Sequence, residues 1–293
     1  MRLLDVAYPL LTAAAEWCPF DQEPTYGFLL RDAAAAEGSE NISTHGLSMV
    51  AYVHPSLPAA LAGLSVGDVI LLVNTVDVRG DPADKVGRLI DRLTRAKIQP
   101  LQLEVVRRGK SCTIMMSAMP ACHYALQVLD TDIVNGITDG RRIGVTRGAL
   151  RFFPSDDELG WVVAHEIAHN LLSHSQNEKL RAMLRAFLWA RGEAADSIDT
   201  LPSRLSLESQ ADYVGAYLMA RAGYDLDAVR RVWKWLERSE SRQAGQKPGL
   251  AQAHPSTKER LAAFERTRQE IEAKRRVAHP LQILLKDNDE LSK

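Results

Sequence analysis

The sequence predicts an α+β protein, in which a mainly helical region with a small sheet carries an inserted β-rich module. Two observations lead there. Between residues 38 and 119, short aliphatic and β-branched runs alternate with glycine and proline punctuation. From residue 120 onward, after two strand-like runs, apolar positions recur at helical spacing behind readable helix starts. The chain has 293 residues, 46% of them hydrophobic, enough apolar material for one or two domains.

Residues 1–37 read as an N-terminal helical segment packing on the later helical region. It comprises an amphipathic helix, a turn-rich stretch from Cys18-Pro19 to Tyr26-Gly27, and an Ala-rich helix near 28–37. Residues 38–119 form the β-rich module. Strands are expected at Leu47–His54, Asp68–Val73, Leu101–Arg107 and Ser111–Ser117, the last two joined by Arg108-Gly109-Lys110 as a tight hairpin. Helices are expected at Leu57–Ala62 and Ala83–Ala96. Residues 120–293 begin with strands at Leu126–Asp130 and Arg142–Thr146 and then turn helical. Ser155 and Glu158 form a Ser-x-x-Glu capping box before one helix, and Ser256 and Glu259 form another. Gly223 ends a helix over roughly 204–222.

Composition narrows the function classes. A formal net charge of −1 gives no basic excess for nucleic acid. No run of about 18 apolar residues predicts a membrane-spanning helix. The first fifteen residues fit a signal peptide poorly, because Asp5 and Pro9 interrupt the apolar stretch and no small-residue cleavage site follows. The chain is then either cytoplasmic or preceded by a signal upstream of residue 1. Cys18, Cys112 and Cys122 have no metal-type spacing, which leaves one disulfide or three reduced thiols.

The chemistry concentrates at Ala164-His165-Glu166-Ile167-Ala168-His169, a His-Glu-x-x-His pattern. Histidines at i and i+4 share one helix face, so both imidazoles can converge on one Zn²⁺. The glutamate between them is offset toward the open coordination position, where it can take a proton from the attacking water and return it to the leaving amine. Leu159, Val163, Ile167 and Leu171 make this helix apolar, with Trp161, Val162 and Leu172 widening the surface. Polar groups in such a helix need partners, and a metal supplies them. A hydrolytic zinc site needs a third protein ligand. Glu208 is the leading candidate, with Asp212 one turn on to accept a hydrogen bond from a ligand histidine. By spacing alone the pair could equally be a solvated helix face. Glu178, His174 and Glu193 compete for the ligand role, and His174 points away on a regular helix.

From Asn135 to about Arg260 these motifs resemble zinc metallopeptidases of the HtpX, BepA and CAAX prenyl protease type, a branch of the gluzincins. His-Glu-x-x-His-Asn at 165–170 is similar to that family's active-site helix. Glu-x-x-Ala-Asp at 208–212 is similar to its third-ligand motif, which implies Glu208 as ligand and Asp212 as support. The stretch 139–148 resembles the strand before the zinc helix, and implies 142–146 as an edge to which extended substrate adds. His254-Pro255 with Arg260 resembles a His-Pro-x-x-x-x-Arg element, implying His254 as oxyanion donor and Arg260 as a structural partner of a carboxylate near the site. Integral members carry transmembrane helices that this sequence lacks. The resemblance is therefore to an exported branch, implying a Cys18–Cys122 bridge and a periplasmic or extracytoplasmic location.

The β-rich module has its own resemblance. Pro58-Ala59-Ala60-Leu61-Ala62-Gly63-Leu64-Ser65-Val66-Gly67-Asp68-Val69-Ile70 is similar to a phrase of bacterial-protease PDZ domains. That implies Gly46, Leu47, Ser48 and Met49 as a carboxylate-binding loop and the 83–96 helix as the other wall of a peptide groove. Together the readings predict a zinc endopeptidase of protein quality control, binding one Zn²⁺ and cleaving polypeptides, unfolded ones among them, with a PDZ module taking C-terminal peptides. The alternative is a peptide-binding or chaperone-like protein with a latent zinc site. Retention of Glu166 favours the enzyme, since a binder needs no base there.

Overall fold

A computed structural model describes residues 1–18, 22–33, 47–173, 204–240 and 258–276. The chain divides into two compact units, one containing residues 3–8 and 19–122, the other residues 9–18 and 123–293. The first helix, α1 (Arg2–Ala13), contributes to both.

The first unit is an antiparallel sheet with two helices. Its strands are β1 (Phe28–Asp32), β2 (Ser48–Val53), β3 (Val69–Val73), β4 (Val76–Asp77), β5 (Leu101–Arg107) and β6 (Lys110–Met116). They lie in the order β1-β2-β3-β5-β6, with β4 folded back on β3. The sequence reason is local. Aliphatic residues alternate along β5, where Leu101, Leu103 and Val105 are buried, and Arg108 and Gly109 take the positive φ that the β5–β6 turn requires. Helices α2 (Pro58–Leu61) and α3 (Ala83–Arg95) supply Ala59, Val86 and Ile90 to the same apolar cluster.

Two linked corrections fall here. The helix expected near 28–37 is strand β1, paired with β2 from Phe28↔Val53 to Asp32↔Ser48. Gly27 sets it up. At φ 78° it lets the chain turn while passing so close to Leu57 that a Cβ would lie 2.4 Å away. Phe28 and Leu30 then pack on the cluster, a period of two that the alanine run beyond disguises. Because β1 is present, β2 has no free edge: Ser48 and Met49 pair with β1 on one side and with Ile70 and Val69 on the other. Leu47, Ser48 and Met49 are buried, so they do not form an open carboxylate loop, and Gly46 lies outside the described residues. The N-terminal segment also divides differently from expectation. In α1, Asp5 accepts from the Tyr52 hydroxyl at 2.7 Å, and Tyr8 stacks on Tyr52, so this part packs on the β-rich unit. Cys18 and Cys122 are each in a disulfide, and Cys112 is a free thiol.

The second unit is helical around a three-stranded sheet of β7 (Ala125–Leu129), β8 (Gly136–Thr138) and β9 (Arg142–Thr146). The order is β7-β9-β8, with β9 parallel to β7 and antiparallel to β8. The expected edge, 142–146, is therefore the centre of the sheet. Ile143 and Val145 are fully buried, as a strand covered on both sides requires. The edges are β7 and β8, and the three residues of β8 are too short a run to announce themselves. After β9 come α4 (Arg147–Phe152), α5 (Asp156–Ser173), α6 (Arg204–Ala222), α7 (Asp227–Glu240) and α8 (Lys258–Arg276). Ser155 Oγ accepts from the Glu158 amide at 3.2 Å, which is half of the capping box. The Glu158 carboxylate instead takes Arg231 Nε at 2.7 Å. Ser256 lies outside the described residues. Among the described residues no helix is long and apolar enough to cross a membrane.

Candidate metal centre

Helix α5 is apolar on nearly every side, with Leu159, Val163, Ala164, Ile167 and Ala168 fully buried. His165, Glu166 and Asn170 are buried in the same helix, where each needs a partner. His165 Nε2 and His169 Nε2 face each other at 3.0 Å. From α6, Glu208 brings Oε2 to 3.2 Å of His165 Nε2 and Oε1 to 3.4 Å of His169 Nε2. These three donor atoms lie within 4.8 Å of one another.

Behind them a second set of groups holds the ligands. Asp212, one turn along α6, places Oδ1 3.1 Å from His165 Nδ1, the ring nitrogen facing away from the converging donors. Arg260 on α8 donates to both Asp212 oxygens, Nε at 2.7 Å and Nη2 at 2.8 Å, and its Nη1 lies 3.2 Å from Glu208 Oε2. A planar guanidinium is the group suited to such a forked contact. Asp212 and Arg260 are 2% and 3% exposed, so this pairing is made away from water.

The electrostatics fit a cation. Burial alone would discharge His165, yet the Asp212 and Glu208 carboxylates that accept from its ring raise its pKa to about 9. His169, with less carboxylate contact, is lowered by burial. Burial pushes the Asp212 carboxyl up, but His165 and Arg260 outweigh it and hold it below the usual range. Two imidazole nitrogens and a carboxylate that converge, with a carboxylate orienting one ring from behind, make the nitrogen and oxygen donor set that zinc takes. His165, His169 and Glu208 would hold it.

Glu166 stands apart from these donors, on the side of β8. Gly136 makes that approach possible: a Cβ there would lie 2.8 Å from Val162 Cγ1 and 3.2 Å from Glu166 Cγ. Burial lifts the Glu166 carboxyl to about 7, in the range where a carboxylate can both accept and return a proton near neutrality. Asn170 ties the same helix to the sheet. Its Oδ1 accepts from the Gly140 amide at 2.8 Å and from the Thr138 hydroxyl.

The structure thus brings together His165, Glu166, His169, Glu208, Asp212 and Arg260. His254 and the competing ligands His174, Glu178 and Glu193 lie outside the described residues. Sequence reading took Trp161 only as apolar helix surface and Asn170 only as the last residue of the 165–170 motif, and gave no role to Trp233, which with Trp161 flanks the site. Trp161 carried a usable signal, since it precedes His165 by one helical turn and so shares its face.

The family model described as peptidase family M48 matches residues 101–268, more than half of the chain, and the chain belongs to that family. Among relatives, the mitochondrial metalloendopeptidase OMA1 of Schizosaccharomyces pombe is 31% identical over 55% of this chain and 52% of its own length. The human mitochondrial metalloendopeptidase OMA1 is 23% identical over 60% of this chain and 38% of its own length. That of Arabidopsis thaliana is 28% identical over 49% and 31%. The chain spans about half, or less, of the length of these relatives. A solved structure titled as the HtrA3 PDZ domain bound to a phage-derived ligand aligns with 34% of this chain and 86% of its own, at 22% identity and a TM-score of 0.26. M48 peptidases are zinc-dependent, so the metal expected at His165, His169 and Glu208 is zinc. The expected periplasmic or extracytoplasmic location is corrected: the relatives are named as mitochondrial enzymes, and that expectation is withdrawn.

Proposed function

We propose that this M48 peptidase is an endopeptidase that cleaves polypeptide chains at the centre formed by α5, α6 and α8. The observation that carries the reading is the convergence of His165, His169 and Glu208, with Glu166 beside them but not among them. A purely structural zinc site has four protein ligands and no spare base. Zinc, when bound, supplies a Lewis acid that polarises the scissile carbonyl. Glu166 takes a proton from the attacking water and hands it to the leaving amine. Asp212 fixes the orientation of His165 through Nδ1, and Arg260 fixes Asp212. His254, in its His-Pro setting ahead of α8, donates to the oxyanion. Extended substrate adds along β8, the sheet edge nearest Glu166, where Ile137 is 46% exposed. Within M48, the motifs at 165–170, 208–212 and 254–260 support kinship with the HtpX and BepA type.

The first unit is read as a PDZ-type module that selects protein substrates. Its support is the Pro58–Ile70 phrase, and the groove belongs along β1 rather than β2. Among the described residues β1 pairs only with β2, and it packs against α3, so β1 is the strand with an edge to offer. A C-terminal peptide is the ligand this geometry takes.

Casein digestion tests the enzyme. Wild-type protein with zinc should cleave it, and Glu166→Gln should lower the rate about a hundredfold or more while keeping its zinc. Chelation should abolish cleavage. Equal rates for wild type, Glu166→Gln and chelated protein would leave only the peptide-binding reading.

A further inference from the structure

Helix α5 meets strand β8 along one line of side chains. Val162, Glu166 and Asn170 follow one another at intervals of four and so share a helix face. Val162 and Glu166 close on Gly136, where an added Cβ would lie 2.8 Å from Val162 Cγ1 and 3.2 Å from Glu166 Cγ. One turn on, Asn170 Oδ1 accepts from the Thr138 hydroxyl and from the Gly140 amide, the latter at 2.8 Å. The spacings match. Two residues of strand and four of helix each advance about 6–7 Å, so Gly136 sits at Glu166 when Thr138 sits at Asn170.

The hydrogen bonds of the β8–β9 ladder show what these contacts hold. In an antiparallel pair, residues bonded across the ladder alternate with residues whose backbone groups point away from it. The Thr146 amide donates to the Asn135 carbonyl at 3.1 Å, and the Asp139 amide to the Arg142 carbonyl at 3.4 Å. The register runs from Gly136↔Val145 to Thr138↔Ile143. Asn135, Ile137 and Asp139 therefore bond to β9, while Gly136 and Thr138 turn their backbone groups to the outer edge. Among the described residues β8 pairs only with β9, so that edge is open. Its two outward-facing residues are the two that α5 fixes. A strand of three residues has few ladder bonds to resist slipping, and a slip of one residue would reverse which groups face outward.

Resting on the peptidase reading, we propose that Asn170 is a positioning residue for substrate. With Gly136 it sets the register of β8 against Glu166, so that a polypeptide paired with Gly136 and Thr138 brings its scissile bond to the base. Asn170 is 0% exposed and acts only through the backbone it holds. Helix α5 packs against α6 independently of it, so the metal ligands keep their places when Asn170 is removed. What changes is the alignment of a long substrate, and a misplacement of about 1 Å at the reacting atoms can cost about a hundredfold in rate.

The test uses the full chain loaded with zinc, a casein peptide that it cuts, and the same peptide trimmed residue by residue from either end. In wild type, kcat/KM should fall as the residues that pair with β8 are removed. Asn170→Ala should keep its zinc and lose about tenfold or more in kcat/KM on the long peptide, but about twofold or less on the shortest peptide still cut. Thr138→Val removes the hydroxyl at nearly constant shape and should lose several-fold with the same dependence on length, whereas Thr138→Ser should behave as wild type. Equal losses on long and short peptides, or an unchanged rate on the long one, would overturn the proposal. So would loss of zinc from Asn170→Ala with Thr138→Val at wild-type rates, since Asn170 would then support the metal ligands instead. If Asn170→Ala does not fold, the Thr138 pair decides. If wild type does not cut casein at all, the peptidase reading fails, and the affinity of zinc-loaded protein for fluorescently labelled, unfolded casein decides for Asn170. Asn170→Ala should then bind about tenfold more weakly, and equal affinities would count against the role.

Discussion

Each unit buries an aspartate held by a forked arginine, and the two pairs serve different ends. In the β-rich unit, Arg107 Nε and Nη2 donate to Asp68 at 2.6 Å each. Asp68 also accepts from the Ser65 amide at 2.9 Å, and Arg107 donates to the Gly63 carbonyl at 2.7 Å. Every remaining contact returns to the turn between α2 and β3, so the pair closes its own loop. In the helical unit the spare contacts of Asp212 and Arg260 go to His165 and Glu208 instead. That pair passes its rigidity to metal ligands. Exposure separates them too. The Arg107 side chain is 37% exposed, while that of Arg260 is 3% exposed. A buried ion pair stabilises little over an apolar substitute, but removing one partner strands the other in low dielectric.

Replacing each arginine with methionine breaks the comparison open. Arg260→Met should cost about 3–5 kcal/mol in urea unfolding and weaken zinc binding about 10–100-fold, since it strands Asp212 and loosens His165. Arg107→Met should cost about 1–3 kcal/mol and leave zinc affinity at the wild-type value. If both variants left zinc affinity alone, the Asp212–Arg260 pair would be a loop clamp like the other.

Asp212→Asn sharpens the same contrast at a single atom. It keeps the shape but weakens the acceptor facing His165 Nδ1, and should lower zinc affinity about 10–100-fold. Competition with a chelator of known affinity measures it, and an unchanged zinc constant would remove Asp212 from the metal centre. The smallest effect belongs on the surface of α3. Arg88 and Asp84 pair at 2.6 Å, but both side chains are 65% exposed, so Arg88→Ala should leave the urea midpoint where it is. A measurable drop there would mean that exposed pairs matter more in this unit than its buried one suggests.

Much of this was legible in the sequence because it is local. Histidines four residues apart on an apolar helix must share a face, and Leu101, Leu103 and Val105 must share one side of a strand. The expected hairpin between β5 and β6 follows from Arg108-Gly109 in the same way. The misreadings are of another kind. Residues 28–32 lie against a run of alanines that favours helix, and only pairing with β2 makes them a strand. The resemblance implied an edge at residues 142–146, but β7 and β8 pair with them on either side, and β8 is three residues long.

The sequence by itself determined the chemistry: two imidazoles and a base on one helix, with carboxylates at i and i+4 on another. Tertiary structure decided which groups those carboxylates meet. Nothing in the spacing of Glu208 and Asp212 distinguishes a solvated face from a metal centre. Packing α6 against α5 turns both inward, and Arg260, some fifty positions on, neutralises what that packing buries. It also decided the two edges, because whether a strand has a free side depends on its neighbours in space, which no stretch of its own residues records.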